Sequence, residues 1–414
     1  MPLATVSRAS ASTTHAASRT DRGTRLSSID IFRGLIMVWM ALDHTRDFFT
    51  NIRFEPEDIN LTWPGLFFTR WITHFCAPMF FLLAGTGAFL YRNRAGSVGK
   101  VSRFLVTRGI WLVILEWTIV EFAWTFVPWT FGGVIWSLGI SMVILAGLVW
   151  LPEWAILTFG LMLIALHDVF DAVQPAQMGP FGWLWALLHS RGVVPGTHFF
   201  VLFPIVPWVG VMASGYGLGR VMLKETAVRQ RSLLVLGSAL TLLFLVLRGL
   251  NAYGNPQARI AASSPGEWHP LPTISMTIVY FLDTEKYPPS LQFLLMTIGP
   301  SLLLLSRLDC SGHDPFIKKL TDPFLVFGQV PMFFYILHLY VIHVLAIAMA
   351  YIFHQSADWL WHGSFWMNNT PEGYGHGLSF IYMMWLLTVG MLYFPCRWFA
   401  RLKQRRKDWW LSYL

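Results

Sequence analysis

Apolar stretches of about 20 residues recur along the chain and are separated by shorter polar segments. A helix of this length spans the hydrocarbon core of a bilayer. The pattern therefore predicts an all-α, polytopic integral membrane protein with about ten transmembrane helices. Their approximate bounds are 29–49, 66–90, 104–124, 131–150, 154–171, 199–219, 232–250, 290–307, 325–353 and 377–400.

The first predicted span carries charged residues in an otherwise apolar sequence. Arg33 and His44 are eleven residues apart, so a helix places them within about 20° of one another and about 16 Å apart along one face. Asp30 and Asp47 fall on the same face. A charge in hydrocarbon costs from a few to roughly ten kcal/mol, so such residues usually face a cavity or a partner. We therefore expect this helix to line the functional site.

Composition and charge support a membrane location. The chain is 55% hydrophobic and 13% charged, with a mean hydropathy of +0.52, whereas a soluble domain has about a quarter charged residues. The net charge of +8 comes from Lys and Arg in alternate loops, which indicates topology and not nucleic-acid binding. This asymmetry predicts an even number of spans with both termini in the cytosol. Assuming a host with an outer envelope, we expect the protein in the cytoplasmic (inner) membrane.

The two ends of the chain differ from the predicted spans. Residues 1–25 are rich in Ser, Thr, Ala and Arg and have no apolar core. We interpret them as a disordered cytosolic tail, with a transit peptide as the alternative. Residues 26–402 form the predicted transmembrane domain, and residues 403–414 form a basic cytosolic tail.

His44 is the first candidate for chemistry. Asp47 follows three residues later on the same helical face and Asp43 is adjacent, so either carboxylate could orient the imidazole of a general base. The alternative is a solvated helix end, with Asp43, Arg46 and Asp47 in water.

Further polar side chains occur in the second and ninth predicted spans. Arg70 and His74 share a face of the second span, and His74 is either a second acid or base or a buried packing residue. Gln329, Tyr335 and His338 interrupt the apolar ninth span, with Tyr335 and His338 three residues apart. We expect these residues to line a cavity.

Arg33 either anchors the helix beside Asp30 or contacts a ligand phosphate or carbonyl. Five cations follow the second span, namely Arg92, Arg94, Lys100, Arg103 and Arg108. They would suit the phosphates of coenzyme A, although topology alone also explains them. No metal-binding, nucleotide-hydrolysis or serine-hydrolase motif is present, so no metal is expected.

Four segments together carry a resemblance to a known family. They are MALDHTRDFF at 40–49, WITHFCAPMFFLLAGT at 71–86, KYPPSLQFLLMTIGP at 286–300 and FGQVPMFFYILHLY at 327–340. The chain resembles the bacterial branch of the heparan-α-glucosaminide N-acetyltransferase family. The spacing of Arg33 and His44 is also similar to the first-span motif of the membrane acyltransferases that acetylate glycans.

The resemblance implies an acyltransferase-like domain over residues 26–402, with acetyl-CoA from the cytosol as co-substrate and a sugar or glycan acceptor on the outer side. The chain departs from the family's lysosomal enzyme at two positions. His44 stands where that enzyme has a different polar residue. Asn60, in INLTW, stands where that enzyme has its catalytic histidine. The catalytic base is therefore left open between His44 and His74.

Our hypothesis is an acetyl-CoA-dependent acyltransferase with His44, Asp47, Asp43 and His74 as catalytic candidates and Arg33 with the five cations on coenzyme A. The residues assigned to the acceptor substrate are Arg46, Arg70, Lys286, Tyr287, Gln329, Tyr335 and His338. Expected partners are the acyl-CoA donor, the extracytoplasmic acceptor and membrane lipids, with a homodimer left open. The alternatives are a proton-coupled transporter that uses the same side chains as a relay and a non-catalytic scaffold.

Overall fold

The computed structural model describes residues 26–255, 266–310, 315–362, 370–406 and 408–412, which are mostly helical. The helices are α1 (Ser27–Phe49), α2 (Pro64–Trp71), α3 (Cys76–Ala95), α4 (Val98–Leu115), α5 (Glu121–Thr125), α6 (Val134–Leu148), α7 (Glu153–Leu166), α8 (Gly182–Leu188), α9 (Ile205–Met222), α10 (Thr226–Gly249), α11 (Ile274–Leu282), α12 (Leu291–Cys310), α13 (Pro315–Gln329), α14 (Pro331–Ile352), α15 (Asp358–Trp361) and α16 (Leu378–Arg405). The predicted tail 1–25 and parts of the predicted tail 403–414 lie outside the described residues.

Helices occur at all ten predicted segments, and six of the described helical stretches are long and apolar enough to cross a membrane. The six are Pro64–Ala95, Glu153–Phe170, Thr226–Gly249, Leu291–Asp309, Pro331–Ile352 and Leu378–Arg405. Although α1 has the required length, its charged residues lower its hydropathy. The chain is thus a helical membrane protein.

The predicted ninth span, 325–353, is two helices and not one. Val330 separates α13 from α14 and has φ −133° and ψ 52°, outside the helical region. Pro331 explains the break, because proline has no N–H to donate and disfavours a helical conformation at the residue before it. The break brings Gln329 to the wall of a cavity.

A small three-stranded sheet departs from the all-α prediction. β1 (Phe131–Gly132) pairs in parallel with β3 (Phe200–Val201), and β2 (Gly192–Val193) pairs with β3 in the antiparallel sense. The fourth and sixth predicted spans therefore begin as strands. Glycine and proline disfavour helix at these two ends, and α9 begins only after Pro204.

Helix α1 is central in the bundle and packs against α3, α12, α13, α14 and α16. Its Phe32 and Ile36 side chains are fully buried. Gly34 of α1 and Gly328 of α13 each face a backbone carbonyl of the other helix so closely that neither position has room for a Cβ atom. This contact brings the start of α14 beside the charged face of α1.

Helices α3 and α9 make a second close contact, at Gly85 and Gly215. A Cβ atom at either position would overlap a backbone carbonyl of the facing helix. Small residues at such positions allow helix backbones to approach closely in membranes.

Gly85→Ala should therefore lower stability, and Gly87→Ala should not. Overpacking of a tight interface costs roughly 1–3 kcal/mol, whereas Gly87, two residues later in α3, faces open space. Alanine at position 87 is neutral or stabilising by up to about 1 kcal/mol through helix propensity. Thermal unfolding of the two variants in detergent tests this, and equal midpoints would contradict the close contact.

Candidate active site

A pair of histidines from distant parts of the chain lies at the centre of the candidate active site. Nδ1 of His44 on α1 is 2.7 Å from Nε2 of His338 on α14, and the rings stack with centroids 4.9 Å apart. Nδ1 of His338 lies 3.1 Å from the Phe334 carbonyl, which can only accept a hydrogen bond. When both rings are neutral, His338 therefore donates to Phe334 and accepts the Nδ1 proton of His44.

This arrangement leaves both Nε2 atoms unprotonated, with that of His338 accepting from His44 and that of His44 available to another donor. Within the described residues Nε2 of His44 makes no hydrogen bond. Aromatic rings pack around the imidazole, with Trp124 at 4.7 Å and Tyr335 at 6.4 Å between ring centroids, both edge to face. The geometry is that of an oriented base able to accept a proton.

A chain of buried and half-buried ion pairs lies beside the histidines. Arg46 is 2.5 Å from Asp47 and 3.0 Å from Asp43. Arg70 also binds Asp43, and its Nε lies 2.8 Å from Glu57. The three acids and two arginines come from α1, α2 and the loop between them, and they join these elements.

The two acids of α1 do not take the expected place beside the imidazole. Asp43 and Asp47 bind arginines, and the ring nitrogen that either acid was expected to orient binds His338 instead. The interpretation of Asp43 and Arg46 as a solvated helix end is also wrong, because both side chains are buried. Buried arginines attract carboxylates more strongly than a neutral imidazole does.

His74 joins the end of this ion-pair chain. It lies in a 3₁₀ turn, Ile72–Phe75, with Nε2 3.2 Å from Oε1 of Glu57. Its Nδ1 is buried and has no hydrogen-bond partner among the described residues. His74 is thus oriented by a carboxylate, as the sequence analysis expected for His44.

Glu57, which the sequence analysis did not single out, lies in the loop between α1 and α2. Burial alone would raise its pKa, but Arg70 and the hydrogen bond from His74 hold the pKa of the Glu57 carboxyl well below its usual range. The carboxylate therefore stays ionised beside the arginine. The signal that points to it is charge balance, because three buried cations face only two acids of α1. The cations are Arg46, Arg70 and Lys286, and the acids are Asp43 and Asp47.

Lys286 and Tyr287, just before α12, lie near the ion-pair chain and the histidines. Lys286 is buried, interacts electrostatically with Asp43, His44 and His74, and places Nζ 5.1 Å from the centroid of the Tyr287 ring. The segment before α12 thus adds a cation to a group of histidines and acids.

A cavity of about 340 Å³, here called the cationic cavity, opens between α1, α3, α4, α6 and the α13–α14 break. Arg33, Arg108 and Lys403 line it together with Gln329 and Tyr335. The remaining lining is mostly apolar and includes Met37, Phe80, Leu83, Trp111 and Leu138. The Tyr335 ring also packs against the histidine pair, so a lining residue of the cavity contacts the centre of the site.

The other predicted coenzyme-A residues lie elsewhere. Arg92 donates to the Tyr216 hydroxyl at 2.8 Å and approaches Glu153, and Arg94 donates to a carbonyl of its own helix. Lys100 and Arg103 are exposed on α4. Of the predicted group, only Arg33 and Arg108 line the cationic cavity. Lys403, assigned only to the basic tail, joins them because α16 continues to Arg405.

A second cavity, here called the polar cavity, has a volume of about 520 Å³ and lies between the C-terminal end of α7 and the start of α12. Its described lining includes Asp171, His189, Asn255, Glu285, Tyr287 and Gln292. Phe293, which follows Gln292, packs 5.4 Å from His74 between ring centroids. Tyr287, which lines the polar cavity, has Lys286 Nζ over its ring, so one wall of the cavity adjoins the Lys286 side of the ion-pair chain.

The family of the chain follows from the sequence around these residues. Residues 25–253 match the model of the family described as heparan-alpha-glucosaminide N-acetyltransferase, catalytic, which is more than half of the chain. The chain belongs to this family. The comparison of this chain with curated proteins found no match.

Family membership makes the chain a membrane protein of the acetyltransferase type and confirms the resemblance found in the sequence. The matched region contains His44, His74 and most of the cationic cavity, whereas His338 lies beyond it. Asn60, at the position compared with the lysosomal enzyme's histidine, is exposed in the α1–α2 loop. In this member of the family, the candidate-site histidines enclosed by the helices are therefore not at position 60. They are His44, His74 and His338.

Proposed function

We propose that this protein transfers an acetyl group from acetyl-CoA to a hydroxyl or amine of a sugar on the opposite side of the membrane. One observation carries the proposal: a single cavity extends from Arg33 and Arg108 to Tyr335, which packs against the His44–His338 pair. A donor bound by its phosphates at the cationic residues would direct its thioester toward His44.

The lining of the cationic cavity matches the parts of an acyl-CoA. Arg33, Arg108 and Lys403 would bind phosphate oxygens, for which guanidinium groups are well suited. The apolar lining would enclose the pantetheine arm. At about 340 Å³ the cavity has room for that arm and the acetyl group, with the nucleotide at the mouth.

His44 would act as the general base. Its Nε2 takes the proton from the acceptor hydroxyl or amine while the acceptor atom attacks the thioester carbonyl carbon. The carbon–sulfur bond then breaks, and the coenzyme A thiolate takes the proton from Nε2 of His44, which returns to its neutral form. Base catalysis of this kind contributes about 10²- to 10⁴-fold in rate. His338 would hold the His44 ring in the required tautomer.

The acceptor would approach from the polar cavity. Carboxylate, amide and phenol groups line that cavity, and such groups fix the orientation of polar ligands. His74, held by Glu57, and Lys286, which lies beside the cavity-lining Tyr287, would contact the acceptor or the thioester carbonyl. In this arrangement Arg46 and Arg70 position acids and do not contact the sugar.

The proposed membrane topology is the ten-span core with both termini in the cytosol, within the cytoplasmic membrane. It rests on the distribution of Lys and Arg among the loops. Residues 26–402 would form the acyltransferase domain, preceded by the cytosolic tail 1–25 and followed by the basic tail 403–414. Lipids would surround the bundle, and a homodimer is compatible with it.

Binding of acetyl-CoA to the purified protein in detergent tests the donor assignment. Arg108→Ala and Arg33→Ala should each weaken binding about 10-fold or more, since a hydrogen bond to a charged group contributes about 1.5–3 kcal/mol. Lys100→Ala is the matched control, because Lys100 is an exposed cation of the same helix as Arg108.

Calorimetric titration should give equal affinities for wild type and Lys100→Ala. If Lys100→Ala weakened acetyl-CoA binding as much as Arg33→Ala and Arg108→Ala do, the loss of affinity would reflect the lower net positive charge and not contacts in the cationic cavity. The absence of acetyl-CoA binding in folded wild-type protein would exclude the donor and favour the proton-coupled transporter.

A further inference from the structure

A cluster of metal-ligating side chains lies at the edge of the polar cavity, apart from the proposed catalytic residues. His167 and Asp171 follow α7, and His189 follows α8. Each offers one ligand atom, and the three atoms lie within 4.8 Å of one another. His167 begins a short 3₁₀ helix, His167–Phe170, and Asp171 follows its end.

His167 provides an independent observation that points to a ligand. The side chain is 97% buried, yet neither ring nitrogen has a hydrogen-bond partner among the described residues. The Asp168 carboxylate, 3.4 Å away, and the Pro289 backbone, which has no N–H, can only accept a proton, so neither satisfies the lone-pair nitrogen of a neutral ring. A buried imidazole without a partner is costly, because the desolvation of its polar atoms is not compensated.

We propose that His167, Asp171 and His189 bind a divalent transition-metal ion of the zinc type. Two imidazoles and one carboxylate are typical zinc ligands, and three protein ligands leave a fourth tetrahedral position open. Zinc–nitrogen and zinc–oxygen bonds of about 2.1 Å place tetrahedral ligands about 3.4 Å apart. His189 and Asp171 are already 3.1 Å apart, so a small movement of His167 completes the set.

The surroundings resemble the outer shell of a metal site. Asp168 accepts the backbone N–H of Leu291 with one oxygen, at 2.9 Å, and has its other oxygen beside His167. Carboxylates in this position orient metal-bound imidazoles. Trp185 packs 5.0 Å from His189 between ring centroids and limits its rotation.

The open coordination position would face the polar cavity, whose lining includes Asp171 and His189. A water molecule or an oxygen of a ligand in that cavity would complete the coordination. The metal would also connect the end of α7 to the end of α8. This proposal is independent of acetyl transfer, because it rests on the ligand cluster alone.

Metal content of the full-length purified protein tests the proposal. The protein is stripped with a chelator, reloaded with Zn²⁺ and analysed for bound metal, with Co²⁺ as a spectroscopic probe of tetrahedral coordination. The wild-type protein should bind one Zn²⁺ ion per chain. Loss of an outer-shell partner alone weakens metal binding by about 10- to 100-fold, so Asp171→Asn and His189→Ala, which remove direct ligands, should weaken it by about 100-fold or more.

Two further variants keep the test specific. His198→Ala removes an exposed histidine from the same region of the chain and should leave metal binding unchanged. Asp168→Asn should weaken binding by about 10- to 100-fold without abolishing it. A folded wild type that binds no more zinc than His189→Ala, or an Asp171→Asn protein with wild-type affinity, would overturn the proposal.

Discussion

His44→Ala protein is expected to bind acetyl-CoA with near wild-type affinity and to lose acetyl transfer by about 10²- to 10⁴-fold. The affinity should persist because Arg33 lies eleven residues, or about 16 Å, before His44 along α1, and Arg108 and Lys403 lie on other helices. The rate should fall because Nε2 of His44 is the acceptor nitrogen of the pair that makes no hydrogen bond among the described residues, whereas Nε2 of His338 already accepts from His44. Single-turnover transfer and donor binding, measured on the same preparation, separate the two effects.

The partner histidine makes this prediction more specific. His338→Gln should also reduce transfer, because the tautomer of His44 is then no longer held, and the double variant should be little worse than His44→Ala alone. Residues that act as a unit show such non-additive effects. His198→Ala is the control for histidine loss at an exposed position. Full transfer by folded His44→Ala protein would show that another residue is the base.

Arg70→Met is expected to cause the largest loss of stability, roughly 3–5 kcal/mol, because it leaves Asp43 and Glu57 buried without their shared cation. Arg220→Met provides the matched control. Arg220 also forms an ion pair, 2.7 Å from Glu153, but its side chain is 74% exposed. Exposed ion pairs contribute at most about 1 kcal/mol, so this variant should unfold close to wild type.

A double variant, Asp43→Asn with Arg70→Met, distinguishes the ion pair from packing of the arginine stem. If the ion pair carries the effect, the double variant should be more stable than the sum of the two single losses predicts, since removing both charges leaves fewer uncompensated groups. Thermal unfolding in one detergent gives the comparison. Strict additivity would mean that Arg70 stabilises the fold by packing alone.

The face of α1 could be predicted from sequence because it depends on local spacing. Charged side chains in an apolar helix singled out Arg33 and His44, and both line or border the site. The same local reasoning assigned Asp47 to His44. It failed there because the acids of α1 bind arginines, and one of these also reaches the distant Glu57.

Contacts between distant segments could not be predicted in this way. The His44–His338 hydrogen bond joins residues 294 positions apart, and it depends on how α14 packs on α1. Lys403 lies in a segment that reads as a basic tail, yet α16 carries it to the cationic cavity. Helical periodicity identifies the face of one helix, and only tertiary packing determines which faces meet.

The most direct measurement of the central claim uses proteoliposomes with donor and acceptor on opposite sides. Acetyl-CoA labelled in the acetyl group is added outside, and a panel of amino sugars and neutral sugars is trapped inside. We predict labelled, acetylated sugar inside vesicles that contain wild-type protein, and none with His44→Ala. Sugar flux that requires a pH gradient and no donor, with no acetylated product, would contradict the account and identify a transporter.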